Sequence, residues 1–319
     1  MRTQSFWQCG ASLAAIALLA SCQQMTTLPS TSSPSSIRTD LDEPVRIVEH
    51  AMGSASVPIA PQRVVVLDYA PLDTALALGI LPVGRIEVTT SSIYPQEVEA
   101  MEIVGNIAQP NLEAIFQLQP DLILSDKVNS GRLYRQLSMI APTVLTQDNG
   151  RKGAWKENLR LHAEALGQGD RAQQLLADYD QRVAELQNSL PDPDQSTVVS
   201  VIAHWSGGIV AYSADSFSGS VLQDLGFTRN PVQGKGQRYG VLLSRENLSE
   251  IDGDIIFLLH NSTAQDSVAK SAFINDPIWS QLDAVKRGSV CEVDSVTWAG
   301  GRSILAATQI LTDIETCLR

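Results

Sequence analysis

"NLEAIFQLQPDLIL" (Asn111–Leu124) and "SRENLSEIDGDIIF" (Ser244–Phe257) are one local design written twice. Laid over each other, Glu113 falls on Glu246, Ile115 on Leu248, Leu118 on Ile251 and Asp121 on Asp254. The apolar run Leu122-Ile123-Leu124 then falls on Ile255-Ile256-Phe257. Asn111 and Ser244 are N-cap residue types, so each stretch reads as a capped helix that turns into a buried strand. Each also carries a glutamate in its first helical turn, where the helix dipole favours a carboxylate. A short continuous apolar strand fed by a helix belongs to a parallel sheet with helices on both faces. Two such units far apart in the chain imply two lobes.

The surrounding pattern agrees. From Arg63, "RVVVL" reads as a strand, "PLDTALALG" as a helix closed by Gly79, and "LPVGR" as a strand. After the first copy come "RLYRQLSMI" (helix), "PTVLT" (strand) and "WKENLRLHAEALG" (helix). The second half repeats the theme with "TVVSVIAHW" and "GIVAYS" as strands and "SFSGSVLQDLGF" as a helix. "SVCEVD" is its last strand and "GRSILAATQILTDIETCLR" an amphipathic terminal helix. Between the halves, "GDRAQQLLADYDQRVAELQNSL" places Ala172, Leu175, Leu176, Tyr179, Val183, Leu186 and Leu190 at spacings of three and four. Asp170 can cap it and "PDPD" at 191–194 stops it, so it predicts one stiff helix of roughly 30 Å. The fold class is therefore α/β: two Rossmann-like lobes with mainly parallel sheets, joined by one long rigid α-helix, with a ligand cleft between them. The boundaries are 45–167 for the first lobe, 168–190 for the connecting helix and 191–319 for the second lobe.

The 319 residues suit two domains, and a hydrophobic content of 44% with 18% charged residues describes an ordinary globule. A formal net charge of -12 argues against a nucleic-acid partner, although a few arginines in a cleft can outweigh it locally. Residues 1–21 read as a signal peptide: Arg2, the apolar "ASLAAIALLA", then small residues before Cys22. Residues 22–44, rich in Ser, Thr and Pro, read as a flexible tether. With Cys9 removed alongside the signal, Cys291 and Cys317 remain for an oxidising compartment, either bridged or as two buried thiols.

From about Val45 onward the chain resembles the helical-backbone class of ABC-transporter substrate-binding proteins, which deliver ferric siderophores, haem and cobalamin. The carriers are "VGNIAQPNLEAIFQLQPDLIL", "APTV", "WKENLRLHAEALG", "LSRENLSEIDGDIIFL", "DPIWSQLDAVKRGSVCEVD" and "ILAATQIL". The wording is closest to the iron-siderophore branch with its ferric-citrate and hydroxamate receptors. The "LASC" segment resembles a bacterial lipoprotein signal, which makes Cys22 the lipid-bearing first residue of a protein held on the periplasmic or outer face of a membrane. The resemblance implies a monomer that hands a ferric siderophore to a permease dimer and its ATPase. It implies that Glu113 and Glu246, one per lobe, dock onto arginines of that permease. It also implies no cofactor and no direct metal ligand, because the iron arrives wrapped.

A compact, oxygen-rich and often anionic chelate asks for arginines and aromatic faces at strand ends. Arg85, following "LPVG", stands where the family commonly places a chelate-binding arginine. Tyr69 follows "VVVLD", and Tyr94 is a lesser candidate. In the second half, Trp205 ends "TVVSVIAHW", Arg238 and Tyr239 lie in a Gly-rich loop, and Trp298 and Arg302 flank "AGG". "VTWAGGRS" also offers free N–H groups at a helix start, a feature that suits an anion. Against each stands a plainer reading as core aromatic or solvated arginine. Three rivals are haem or cobalamin reception, with Tyr69 or His204 as axial ligand, direct zinc or manganese binding, and an enzyme. Only four histidines (His50, His162, His204 and His260) exist for metal, and no G-x-S-x-G, phosphate-loop or G-x-G-x-x-G motif occurs.

Overall fold

A computed structural model describes residues 44–89, 91–189, 196–205, 208–234, 236, 238–261 and 270–319. The proposed signal, Cys22, all but the last residue of the proposed tether, and the "PDPD" stop lie outside the described residues.

A hairpin of β1 (Val45–His50) and β2 (Gly53–Pro58) leads into the first lobe. Its sheet comprises β3 (Val64–Val66), β4 (Gly84–Arg85), β5 (Glu102–Ile103), β8 (Leu122–Asp126) and β9 (Thr143–Thr146) in the order β5-β4-β3-β8-β9. Every pairing in it is parallel. The strands β6 (Gly105–Asn106) and β7 (Gln109–Pro110) form a small separate ladder. Helices α1 (Tyr69–Ala77), α2 (Leu112–Gln117), α3 (Lys127–Ser130), α4 (Tyr134–Ser138) and α5 (Trp155–Ala165) complete the lobe. Val64, Val65 and Val66 are fully buried, as a central strand covered on both faces requires.

Helix α6 (Gly169–Ser189) follows, 21 residues long and so about 31 Å by its rise per residue. Its buried stripe of Ala172, Leu176, Tyr179, Val183 and Leu186 joins the core shared by α5 and the second lobe. Tyr179 meets Trp155 edge-on at 5.1 Å and donates a 2.9 Å hydrogen bond to Asp224.

The second sheet holds β10 (Val198–Trp205), β11 (Gly208–Tyr212), β12 (Thr228–Arg229), β13 (Gly240–Leu243), β14 (Ile255–His260) and β15 (Val290–Asp294). The order is β13-β11-β10-β14-β15, with β12 pairing with β10. Its β10-β14-β15 half is parallel, but β11 runs antiparallel to both of its neighbours, β10 and β13. The sequence leaves only two residues between β10 and β11, too few for a crossover, so a hairpin is the only connection available. Helix α7 (Phe217–Asp224) and a terminal helix (Ile304–Cys317) pack on this sheet. Cys291 of β15 and Cys317 of the terminal helix form a disulfide, with Cα atoms 6.0 Å apart.

The duplicated stretch is a duplicated joint. Asp121 accepts hydrogen bonds from the N–H groups of Gln62 (2.6 Å) and Arg63 (2.9 Å), which lead into β3. Asp254 accepts from the N–H of Val198 (2.8 Å), which opens β10. In both lobes the acid pins the start of the neighbouring parallel strand. The helical parts differ. Asn111 caps α2 through 3.1 Å hydrogen bonds from the N–H groups of Glu113 and Ala114. The second copy is a 3₁₀ helix, Arg245–Ile251, whose Ser244 makes no cap because its hydroxyl bonds Asn247 at 2.8 Å. The Ser244 cap and α-helix expected from sequence are thus corrected to an uncapped 3₁₀ turn.

Candidate functional site: a cleft at the strand ends

In a parallel sheet the strands deliver their following loops to one edge, and here both lobes aim that edge at a shared cleft. Two cavities of equal volume, about 360 Å³ each, lie there, and the one with the larger lining takes Tyr69 from the end of β3, Thr89 from beyond β4 and Arg151 from beyond β9. The second lobe supplies Tyr212 at the end of β11, Tyr239 before β13 and Asn261 after β14. Three tyrosines and two arginines, Arg151 and Arg302, therefore line a common space.

Arg151 carries the positive charge. It is exposed, makes no ion pair among the described residues, and sets its guanidinium carbon 5.4 Å from the centre of the Tyr239 ring. Tyr239 is 39% exposed, so its ring is available. The Tyr69 hydroxyl accepts a 2.9 Å hydrogen bond from the N–H of Thr89, which fixes that ring on the first-lobe wall. Burial pushes the Tyr212 hydroxyl above its ordinary pKa, so it stays a neutral donor.

Arg85 lies in an adjoining cavity of about 360 Å³, with Ser91, Tyr94, Gln96 and Glu99 of the first lobe and Asp294 at the end of β15. It is buried and makes no ion pair among the described residues; it donates to the carbonyls of Val98 (2.8 Å) and Ile86 (2.9 Å). The Tyr94 hydroxyl in the same wall is buried, with no hydrogen-bond partner among the described residues. Ser91 reaches across to Asp294 at 2.8 Å, so this cavity too lies where the lobes meet.

The other expected residues divide between the cavity wall and positions away from it. Arg238 is exposed but does not line either cavity among the described residues. Trp205 closes β10, and its side chain lies outside the described residues. Trp298 borders the Arg151 cavity with 0% exposure: its indole stacks on Phe257 at 4.5 Å and donates to Asp313 at 2.8 Å. Arg302, 1% exposed, pairs with Asp68 at 2.5 Å and donates to the carbonyls of Asn149 and Gly300. Both line the cavity, and packing and local polar partners already engage their polar groups. The N–H groups at the start of the terminal helix are likewise taken, by Asp73 at 2.9 and 3.0 Å.

Arg151, Tyr212, Thr89 and Asn261 were not singled out from the sequence. The available signal was positional: each lies at or beyond the end of a strand. "QDNGRKG" offers a charged residue in the loop after "PTVLT", the kind of loop that carries ligand contacts in this fold class.

The histidines are scattered. His162 is fully buried and held neutral by that burial, its pKa lowered to about 4. His204 stacks on Phe273 at 4.6 Å and is also lowered by burial. Among the described residues, no three His, Cys, Asp or Glu side chains form a group able to hold a metal ion. Glu113 and Glu246 are exposed, one on each lobe.

Residues 64–297 match the pattern of a family described as periplasmic binding protein. A relative in Bacillus subtilis, the probable siderophore-binding lipoprotein YfiY, is 35% identical over 318 residues, covering 95% of each chain. The Fe(3+)-citrate-binding protein YfmC of the same organism is 30% identical, covering 84% of each. The crystal structure of Staphylococcus aureus SirA complexed with staphyloferrin B superposes with a TM-score of 0.72 at 31% identity. That match covers 86% of this chain and 98% of the other.

Proposed function

The chain belongs to the periplasmic binding protein family, and from that premise we propose that it captures a ferric siderophore in the cleft and delivers it to an ABC importer. The observation that carries this reading is the Arg151 cavity itself. It sets the exposed Arg151, which makes no ion pair among the described residues, and the rings of Tyr69, Tyr212 and Tyr239 around one space at the strand ends of both lobes. Arginine meets carboxylate or hydroxamate oxygens with a fork of donors, and the tyrosines cover the chelate's flatter faces. Ferric citrate and hydroxamate types suit this lining. The names of YfiY, YfmC and SirA's bound staphyloferrin B support the same class. The family is one of binding proteins, and no catalytic step enters the reading.

No resident cofactor is needed, since the iron arrives already chelated. Arg85 in the adjoining cavity is the second cation for an acidic arm of the chelate. The protein works outside the cytoplasm as a monomer on a lipid at Cys22, presenting Glu113 and Glu246 to the permease dimer whose ATPase drives import. The lipoprotein name of YfiY supports the anchor. The test is tryptophan-fluorescence titration of the protein with ferric citrate, a ferric trihydroxamate, a ferric catecholate, haem and cobalamin. Saturable quenching by a ferric chelate is expected. Binding of haem with an intense Soret band, or of cobalamin alone, would overturn the siderophore assignment.

A further inference from the structure

Beside the cleft, the two lobes meet along a seam of buried polar groups that ligand binding as described does not use. Asp68 caps α1 at the end of β3 and is 0% exposed. Its Oδ1 receives Tyr69 N–H at 2.7 Å and Arg302 Nη2 at 2.5 Å. Arg302 precedes the terminal helix and also donates to two backbone carbonyls. Nη1 bonds the carbonyl of Asn149 at 2.5 Å, and Nε bonds that of Gly300 at 2.8 Å. One guanidinium thereby ties together the three segments that carry Tyr69, Arg151 and the wall at 299–300 of the Arg151 cavity.

A second tie lies one helical turn away. Ser303 stands at the N-cap of the terminal helix but makes no side-chain cap. Its hydroxyl instead lies 2.9 Å from that of Thr74 on α1. The cap comes from the other lobe: Asp73 of α1 accepts from Leu305 N–H at 2.9 Å and Ala306 N–H at 3.0 Å. Helix starts leave N–H groups that need such partners, and leaving them buried and unpaired is costly. Separating the lobes would strand two of these donors, two carboxylates and one guanidinium together.

The backbone is shaped for these contacts. Arg302 adopts φ 56°, a conformation that side-chain-bearing residues rarely take and that surrounding contacts must hold. Gly301 permits the close approach, since a Cβ there would lie 2.4 Å from Ala306 Cβ and 3.1 Å from Asp73 Oδ2. Gly150, at φ 78°, lies against Arg302 in the same way.

We infer that Asp68, Asp73 and Arg302 are positioning residues of the ligand cleft: a buried tie between the lobes that holds Tyr69 and Arg151 at a set spacing across it. The role in affinity rests on reading the Arg151 cavity as the ligand site; the tie itself does not. Hydrogen-exchange mass spectrometry of the full chain without ligand tests the tie. In Arg302→Met, amide exchange rises at least tenfold together in 68–74, 147–153 and 299–306, while α2 and the middle of α6 keep their protection. Arg302→Lys gives an intermediate result, because an ammonium cannot serve the three acceptors that the planar fork reaches. Ferric citrate affinity, measured on the same variants, falls about tenfold in Arg302→Met and less in Arg302→Lys. Should Arg302→Met fail to fold, Asp73→Asn carries the test, since it keeps the shape and one acceptor; there exchange rises in both 68–74 and 299–306. An increase confined to one lobe, or uniform across the chain, overturns the tie. Raised exchange in both lobes with unchanged ferric citrate affinity overturns the positioning role. Absence of ferric citrate binding by the unaltered protein would count against the proposed function, and the exchange result would still decide the tie.

Discussion

Arg151→Ala separates binding from folding more cleanly than any other change in the cleft. The side chain is exposed, makes no ion pair among the described residues, and touches Tyr239 through its guanidinium face at 5.4 Å. Its removal leaves no buried group unpaired, so stability should change by about 0.5 kcal/mol or less, the scale of a surface substitution. Against an anionic chelate the loss is that of a charge-assisted hydrogen bond, about 1.5–3 kcal/mol. At about 1.4 kcal/mol per decade this is a drop in affinity of roughly 10- to 150-fold. Arg85→Ala makes the useful contrast. That guanidinium is buried and holds the carbonyls of Val98 and Ile86, so its loss should lower the melting temperature as well as the affinity. Tryptophan-quenching titrations with ferric citrate, paired with thermal melts, read both quantities. If Arg151→Ala binds as tightly as the unaltered protein, the Arg151 cavity is not where the chelate's charge is met. If it binds weakly only because it melts early, the exposed-arginine reasoning fails as well.

Charge reversal of Glu113 and Glu246 together should leave ferric citrate affinity within about twofold while abolishing uptake in cells, since both carboxylates are exposed outside the cavity lining. Surviving uptake would remove them from the docking surface. Breaking the Cys291–Cys317 bridge with paired serines should cost about 3–4 kcal/mol for a loop closed over 26 residues, read as a lowered denaturation midpoint. An unchanged midpoint would show the bridge to be energetically idle. Burial and the neighbouring Asp68 push the Asp126 carboxyl up to about 7 in the folded chain. The folded state then holds the extra proton between about pH 4 and pH 7, so this group's contribution to stability falls as pH rises through that window. Its slope is at most about 1.4 kcal/mol per pH unit. Asp126→Asn should therefore flatten the decline in melting temperature between pH 5 and pH 8, and an identical slope in both proteins would contradict the shift.

Elements that depend on local patterns were legible in the chain. The three- and four-residue spacing of Ala172, Leu176, Tyr179, Val183 and Leu186 is the buried stripe of α6, because a helix brings those positions to one side. The apolar triplet "LIL" opens the fully buried β8, since a parallel strand covered on both faces favours apolar side chains at successive positions. The repeated Asp121 and Asp254 were visible as a correspondence, but their task was not. Each accepts N–H groups from a strand start more than fifty residues away, and no local pattern records that partner.

The same division separates the cleft residues. That both lobes would turn their strand ends toward one space follows from β-α-β alternation, which composition and periodicity determine on their own. Which arginine stands free in that space was decided only by tertiary packing. Arg85, Arg151 and Arg302 each follow a strand or precede a helix and look alike in one dimension. In three, Asp68 and two carbonyls consume Arg302, two carbonyls hold Arg85 against a buried wall, and among the described residues Arg151 meets only the face of Tyr239. A charged side chain's availability is set by the partners that long-range folding brings within about 3 Å of it, and those partners lie in other parts of the chain.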